Sequence, residues 1–323
     1  KDTLINMATD PEAQGWSVSV EFKHKSQEDG TVRNYRKSLA EGLLSSMFSL
    51  RLSDLSRRPN APFIGAQAGA SGIGRSLSLF ELEAAVPEGK ITEGLGALMA
   101  EAKRVQQFGF MDDELNRAKA ALLAGYERAF KERETSESAG YASEYVRHFL
   151  TKEPIPGMDV EYKVASLYLP TITNAEISAL AKSLISDDNR VVLGVAPEKK
   201  DTPPPTVETI RATLERANAA PVERWADPTT NRALVEKSPT PGKVTGKRAI
   251  PDIGATGLTL SNGVEVWLKP TDFKNDQVLF TAYALGGLSL ASEKDYKNAS
   301  LATAMVGTGA MGGLNPIELS KLL

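Results

Sequence analysis

Apolar and polar positions alternate in several short runs of this chain and recur at helical spacing in longer ones. Trp16, Val18, Val20 and Phe22 alternate with polar residues, which predicts a half-buried strand. Further strands are predicted at 63–68, 77–86 and 190–196. Apolar residues at three- and four-residue spacing predict a long helix at 35–50, and others at 92–108, 112–129, 136–150, 173–184 and 207–217.

The order of these predicted elements indicates the fold class. A strand, a long helix and two strands come first, followed by a series of helices and one more strand. Strands joined by hairpins, together with runs of helices, favour an α+β fold in which helices pack on one face of a mainly antiparallel sheet. The sequence therefore predicts such a domain over residues 1–217.

The composition changes after Lys200. Residues 218–257 are rich in Pro, Gly, Thr and Lys without sustained periodicity, which predicts an interdomain linker with Trp225 as its anchor. Asn262-Gly263 then separates two apolar runs, the pattern of a hairpin with a type I′ turn. A second α+β domain is therefore predicted to begin at residue 258.

No complete sheet is predicted after this hairpin, although a helix is expected near Asn298–Val306. A sheet needs further strands to bury its apolar face. We therefore expect residues 258–323 to be the truncated start of a domain, and the chain to be an internal piece of a larger protein.

Composition excludes several classes of protein. The net charge of −3, with both signs interspersed, argues against nucleic-acid binding. No apolar run approaches the roughly 18 residues of a membrane span. The absence of cysteine removes disulfides, thiolate nucleophiles and cysteine metal sites, and is compatible with an oxidising compartment. A periplasmic or secreted location is favoured over a cytoplasmic one.

Only two histidines, His24 and His148, are available for metal binding or general-base catalysis. Glu144 and His148 share a helix face, but catalytic zinc needs about three protein ligands and nothing adjacent supplies the third. We interpret His148 as a half-buried histidine at a helix end and His24 as solvated at a strand end. Neither a catalytic group nor a metal ligand is predicted in this chain.

A glycine-rich segment at 69–74 has the spacing G-x-x-G-x-G and precedes a strand. The dinucleotide fingerprint requires G-x-G-x-x-G before a helix, so a hairpin tip is the better interpretation. Glycines also allow a bound peptide backbone to approach, and an arginine can meet a carboxylate. Gly72, Gly74 and Arg75 are therefore the candidate substrate-binding residues.

Two regions resemble the pitrilysin/insulinase-type zinc peptidases. The sequences LSNGVEV at 260–266 and ALGGL at 284–288 are similar to the opening of domains in that family, and RLSDLSR at 51–57 and LNRAK at 115–119 to its second domain. The resemblance implies a LuxS/metallopeptidase-like α+β fold, a chamber enclosed by several domains, and peptide or unfolded protein as substrate.

The family's zinc helix carries H-x-x-E-H, and here the chain departs from the pattern. The matching positions hold residues such as Asn298, Leu301 and Ala302, and no histidine follows His148. The resemblance thus implies a chamber-wall segment of a zinc metalloendopeptidase. Zinc would belong to the parent protein, and the partners would be its remaining domains. The alternative is a non-catalytic scaffold or binding paralogue.

Overall fold

The computed structural model describes residues 2–26, 30–73, 76–226, 234–235, 237–272, 277–306, 313–314, 318–319 and 322. The chain divides into two compact units, Lys1–Asp227 and Pro228–Leu323, each with its own sheet. The division falls inside the segment 218–257. No helix among the described residues is both long and apolar enough to cross a bilayer.

The first unit is built on a five-stranded sheet. Its strands are β1 (Leu4–Asp10), β2 (Trp16–Lys25), β3 (Gly65–Ile73), β4 (Leu77–Val86) and β5 (Arg190–Pro197), in the spatial order β1-β5-β2-β4-β3. Only the β1–β5 pair is parallel. The predicted α+β fold with a mainly antiparallel sheet is confirmed, and β1 is an additional strand.

Seven α-helices accompany this sheet: α1 (Val32–Ser56), α2 (Ile91–Phe108), α3 (Asp112–Lys131), α4 (Ser138–Thr151), α5 (Met158–Tyr168), α6 (Asn174–Leu184) and α7 (Val207–Ala219). Thr31 caps α1 by accepting a hydrogen bond from the Asn34 N–H, and Thr173 caps α6 by accepting from Glu176. Of these helices, only α5 was not predicted.

The core lies between one face of the sheet and the helices. Val20 and Phe22 of β2 and Leu82 of β4 are completely or almost completely buried there, together with Leu44 and Phe48 of α1. These strand residues all have even numbers, and the strand register places them on the same side of the sheet. A single face of the sheet therefore contacts the helical layer. The period-2 pattern of the sequence identified that face correctly.

Helix α1 covers backbone groups in the middle of β3, a strand at one edge of the sheet. The hydroxyl of Ser49 on α1 accepts from the Ala68 N–H at 2.9 Å and donates to the Ala68 carbonyl at 3.0 Å. Strand β3 is an edge strand, and unpaired backbone groups on such strands invite pairing with other chains. The long helix thus satisfies the exposed backbone at this point.

The second unit contains a three-stranded antiparallel sheet of β6 (Val244–Ile250), β7 (Ala255–Leu260) and β8 (Glu265–Leu268), and a helix α8 (Tyr296–Val306). The hairpin at Asn262-Gly263 forms as predicted, but the prediction of a type I′ turn was wrong. Only Gly263 has a positive φ, 84°, and its N–H donates to the Leu260 carbonyl. This geometry fits a three-residue loop with a terminal glycine, a common alternative to the type I′ turn.

Strand β6 comes from the segment interpreted as a linker and pairs with β7. Apolar residues remain uncovered in this unit: Phe280 is 85% exposed and Tyr283 is 91% exposed. Large exposed apolar patches are typical of surfaces that bind other protein. The sequence leads us to expect that the linker, or a neighbouring molecule, covers this face, and this stays a prediction.

Candidate functional site

The second face of the five-stranded sheet carries no described helix and is rich in polar groups. It presents Ser17, Ser19, Glu21 and Lys23 of β2, Glu81 and Glu83 of β4, and Gln67 of β3. Alternation along the strands sends these side chains away from the apolar core. The result is a mainly acidic surface on β2 and β4, next to apolar side chains of β5 on the same face.

Three glutamates dominate the electrostatics of this face. Glu21 and Glu81 lie directly opposite each other on β2 and β4, and Gln67 donates to Glu83 at 2.9 Å. Partial burial raises the pKa of the Glu81 carboxyl, and the neighbouring charges of Glu83 and Glu21 raise it further. Like charges directly opposite on a sheet are destabilising. An incoming cation would relieve this repulsion.

Of the three predicted substrate-binding residues, the structure describes Gly72, which lies at the far end of the same sheet. Gly72 is exposed near the end of β3 and is paired with Ser78 of β4. Gly74 and Arg75 fall outside the described residues. The prediction that they contact a substrate therefore stays a prediction.

The two histidines lie on different elements, β2 and α4, and each bonds a backbone carbonyl. His24 Nε2 donates to the Leu184 carbonyl at 2.8 Å, so this residue is half-buried rather than solvated as expected. His148 Nδ1 donates to the Glu153 carbonyl at 2.6 Å and is exposed rather than half-buried. A carbonyl can only accept, so each bonded nitrogen carries a proton and is unavailable to a metal.

Zinc does not fit the described part of this chain. No three His, Cys, Asp or Glu side chains converge there in a way that could hold a metal ion. A catalytic zinc site needs about three such ligands with one open position.

The segment 51–57 contributes a buried ionic network. Arg51 is 2% exposed and forms two hydrogen bonds with Glu114, at 2.8 and 2.7 Å. It also donates to Glu101 at 3.2 Å and to the Gly109 carbonyl at 3.1 Å. Gly109 has a φ of 65°, and a Cβ there would lie 2.4 Å from the Ser178 hydroxyl, so glycine is required. The network joins α1, α2 and α3 and has a structural role.

Trp225 is 7% exposed and lies against the same network, as predicted for an anchor. Its ring faces the guanidinium groups of Arg51 and Arg58, each 5.1 Å away, and of Arg104 at 5.7 Å. Cation–π contacts of this kind contribute about 0.5–2 kcal/mol each. They fix the end of the first unit to its helical layer.

A second polar cluster lies at the other end of α1 and was not predicted as a site. Tyr35, Tyr126 of α3 and Glu161 of α5 meet beside a cavity of about 370 Å³. The sequence spacing suggested only that Tyr35 and Tyr126 belong to apolar helix faces. No local pattern relates them to Glu161.

Two curated proteins are similar to this chain over nearly its whole length. A "zinc protease PQQL-like" protein of Arabidopsis thaliana is 29% identical over the whole chain and 31% of its own length. A "probable zinc protease PqqL" of Haemophilus influenzae is 20% identical over 95% of the chain and 33% of its own length. The chain thus spans about a third of the length of these relatives.

Solved structures of the same kind share the fold. The periplasmic protease PqqL of Escherichia coli covers 99% of the chain, with a TM-score of 0.64 and 16% identity, over 36% of its own length. A predicted insulinase family protease of Yersinia pestis covers 68% of the chain and 46% of its own length, with a TM-score of 0.57 and 12% identity. In sequence and fold, the chain is thus similar to proteases of the pitrilysin/insulinase type. No family model matches it.

Proposed function

We propose that this chain forms a wall of the peptide-binding chamber in a zinc metalloendopeptidase and holds no zinc itself. The observation that carries the proposal is the uncovered, acidic face of the five-stranded sheet. A sheet with helices on one side only must expose its other face or enclose space with it. Relatives named as zinc proteases and about three times as long support a parent protein of that activity.

The residues of this wall would bind and orient a peptide. Glu21, Glu81 and Glu83 would attract basic or extended segments of an unfolded substrate, because their mutual repulsion falls when a cation approaches. Gly72, Gly74 and Arg75 would contact the substrate backbone near the end of β3. The zinc, the water it activates and the general base would come from other domains of the parent protein. A periplasmic location is proposed by likeness to the periplasmic PqqL.

A crosslinking experiment on the complete protein tests the wall. A photoreactive residue replacing Ser19, at the centre of the open face, should crosslink to a bound, uncleaved peptide. The same residue replacing Glu208, exposed on α7, is the matched control. Equal crosslinking at both positions, or none at Ser19, would contradict the proposal.

The alternative is a non-catalytic scaffold or binding paralogue. Chelator-sensitive cleavage of a quenched peptide by the complete protein would favour the enzyme, and binding without cleavage would favour the scaffold. This chain alone should hold no stoichiometric zinc after dialysis and should cleave no peptide, because its described residues offer no three-ligand site. One tightly held zinc per chain would contradict that expectation.

A further inference from the structure

The cavity beside Tyr35 is separate from the open sheet face. It opens between the start of α1, helix α5 and the segment 152–157, within the helical layer. Apolar side chains form most of its wall: Val32, Pro154, Pro156, Val160 and Val164. Two prolines restrict the backbone of the connecting segment, so this wall is comparatively rigid. The volume of about 370 Å³ is that of a small-molecule site.

The polar groups converge at one side of this cavity. Tyr35 Oη lies 3.1 Å from Tyr126 Oη and 3.3 Å from Glu161 Oε2. A phenol carries one proton, and an ionised carboxylate can only accept. All three groups are satisfied when Tyr126 donates to Tyr35 and Tyr35 donates to Glu161. The network therefore holds a carboxylate in a fixed orientation.

Glu161 has no ion-pair partner among the residues that the structure describes. The charge of Arg147 acts on Glu161, but the Arg147 guanidinium pairs with Glu153 at 2.8 and 3.3 Å. Burial raises the pKa of the Glu161 carboxyl, which shows that its charge is poorly solvated. Glu153 also lines this cavity, but its charge is compensated by Arg147. A half-buried carboxylate without such compensation, beside apolar side chains, is an arrangement that favours a cationic ligand with an apolar body.

We propose that this cavity binds an alkylammonium group, with the ammonium at Glu161 and the alkyl stem against the valines and prolines. An ammonium offers three donors, which suits a carboxylate already oriented by a tyrosine. The group could come from a lysine side chain of a peptide or from a free aliphatic amine. The site lies in the helical layer, so it does not depend on the proposed chamber wall.

The charge state of Glu161 should control binding. Protonation removes the negative charge, so affinity should fall as the pH drops through the carboxyl's pKa. The titratable or charged groups around it are Tyr35 of α1, Tyr126 of α3, Glu144 and Arg147 of α4, and Glu153 of the 152–157 segment. Of these, Glu144 and Glu153 are the other carboxylates, and Glu153 is paired with Arg147.

Titrations of the purified chain, followed by nuclear magnetic resonance, test the site with two probes. The first is n-pentylammonium and the second is an acetylated, amidated Gly-Lys-Gly peptide, so the two sources of the ammonium are distinguished. The same peptide with norleucine in place of lysine keeps the stem without the charge. At about pH 7.5, Glu161→Gln should weaken binding of any accepted ammonium about ten-fold or more. Glu127→Gln on α3, paired with Lys131 on the exposed surface, is the matched control and should change little.

A second variant checks the place of binding without changing the charge. Val160→Phe should block the cavity and abolish binding, and position 160 is exposed enough to accept a larger side chain. No binding of either ammonium at about 20 mM would overturn the proposal. Equal binding of the norleucine peptide, or an effect of Glu161→Gln below about two-fold, would also overturn it.

Discussion

Helix α1 carries two polar clusters that differ in how their charges are compensated. Near its C-terminal end, Arg51 meets Glu101 and Glu114 in a buried network in which every carboxylate has a guanidinium partner. Near its N-terminal end, Tyr35 donates a hydrogen bond to Glu161 beside a cavity. Among the residues that the structure describes, no guanidinium pairs with the Glu161 carboxylate. The first cluster holds three helices together through paired charges, whereas the second leaves the charge of Glu161 available to a ligand.

The comparison separates two reasons for placing charge inside a protein. A paired, fully buried network is strongly destabilised when one partner is lost, because the remaining charge cannot be solvated. An unpaired, half-buried carboxylate disfavours folding and is the kind of group found at functional sites. Substitutions in the two clusters should therefore have stability effects of different size and sign.

The largest effect is expected for Arg51→Met. The two carboxylates of Glu101 and Glu114 would remain buried, with only Arg104 near Glu101, so the unfolding free energy should fall by about 3–5 kcal/mol. Urea unfolding at neutral pH measures this change. Lys90→Met, which removes an exposed pair with Glu93, should cost less than about 0.5 kcal/mol. A similar result for both variants would show that the network is not structural.

A smaller loss of unfolding free energy is expected for Tyr35→Phe. The hydroxyl bonds both Tyr126 and Glu161, and the substitution removes both bonds, at a cost of about 0.5–1.5 kcal/mol each. Tyr162→Phe is the matched control on α5, since its ring stacks on Phe130 and no hydrogen bond of its hydroxyl is present among the described residues. Equal unfolding free energies for the two variants would argue against a network at Tyr35.

The smallest effect, and one of opposite sign, is expected for Glu161→Gln. The raised pKa means that the folded state binds this proton more tightly than the unfolded chain. The stabilisation that comes from this raised pKa is fully present below the ordinary carboxyl pKa of 4.5. It is lost as the pH rises through the pKa that Glu161 has in the folded state. Glutamine does not ionise, so at about pH 7.5 the variant should be more stable by roughly 0.5 kcal/mol after solvent screening.

Unfolding measured from about pH 4 to 8 tests the sign. The advantage of the glutamine variant should shrink as the pH falls toward 4.5, because the wild-type carboxyl then becomes neutral. A variant that is less stable than wild type at neutral pH would mean that Glu161 stabilises the fold. The cavity would then be part of the packing, and the comparison between the two clusters would fail.

Much of the fold could be predicted from sequence because burial has a local signature. Strand β2 alternates strictly between Trp16 and Phe22, and α1 repeats its apolar positions over several turns. Strand β1 lacks this signature, since apolar Leu4 and Ala8 lie on the opposite face from Ile5 and Met7. Helix α5 has a single fully buried residue, Ala165, so its sequence carries only a weak stripe of apolar residues at helical spacing.

The clusters themselves could not be predicted, because their members are distant in sequence. Tyr35 and Glu161 are 126 positions apart, and Arg51 and Glu114 are 63 apart. No spacing rule connects such residues; only the packing of α1 against α3 and α5 brings them together. For these clusters the composition gave no guidance, since zero cysteines and two histidines bear only on metal sites.

The parallel pair of β1 and β5 has a consequence for the order in which the protein folds. Arg190 at the start of β5 donates to Thr3 just before β1, a separation of 187 residues. During synthesis at about 5–20 residues per second, β1 must wait on the order of 10–40 s for β5 to be made. Until then Ile5 and Met7 lack the strand with which they pair, so β1 would be an unpaired strand in the growing chain. Contacts of such long range also slow folding once the chain is complete.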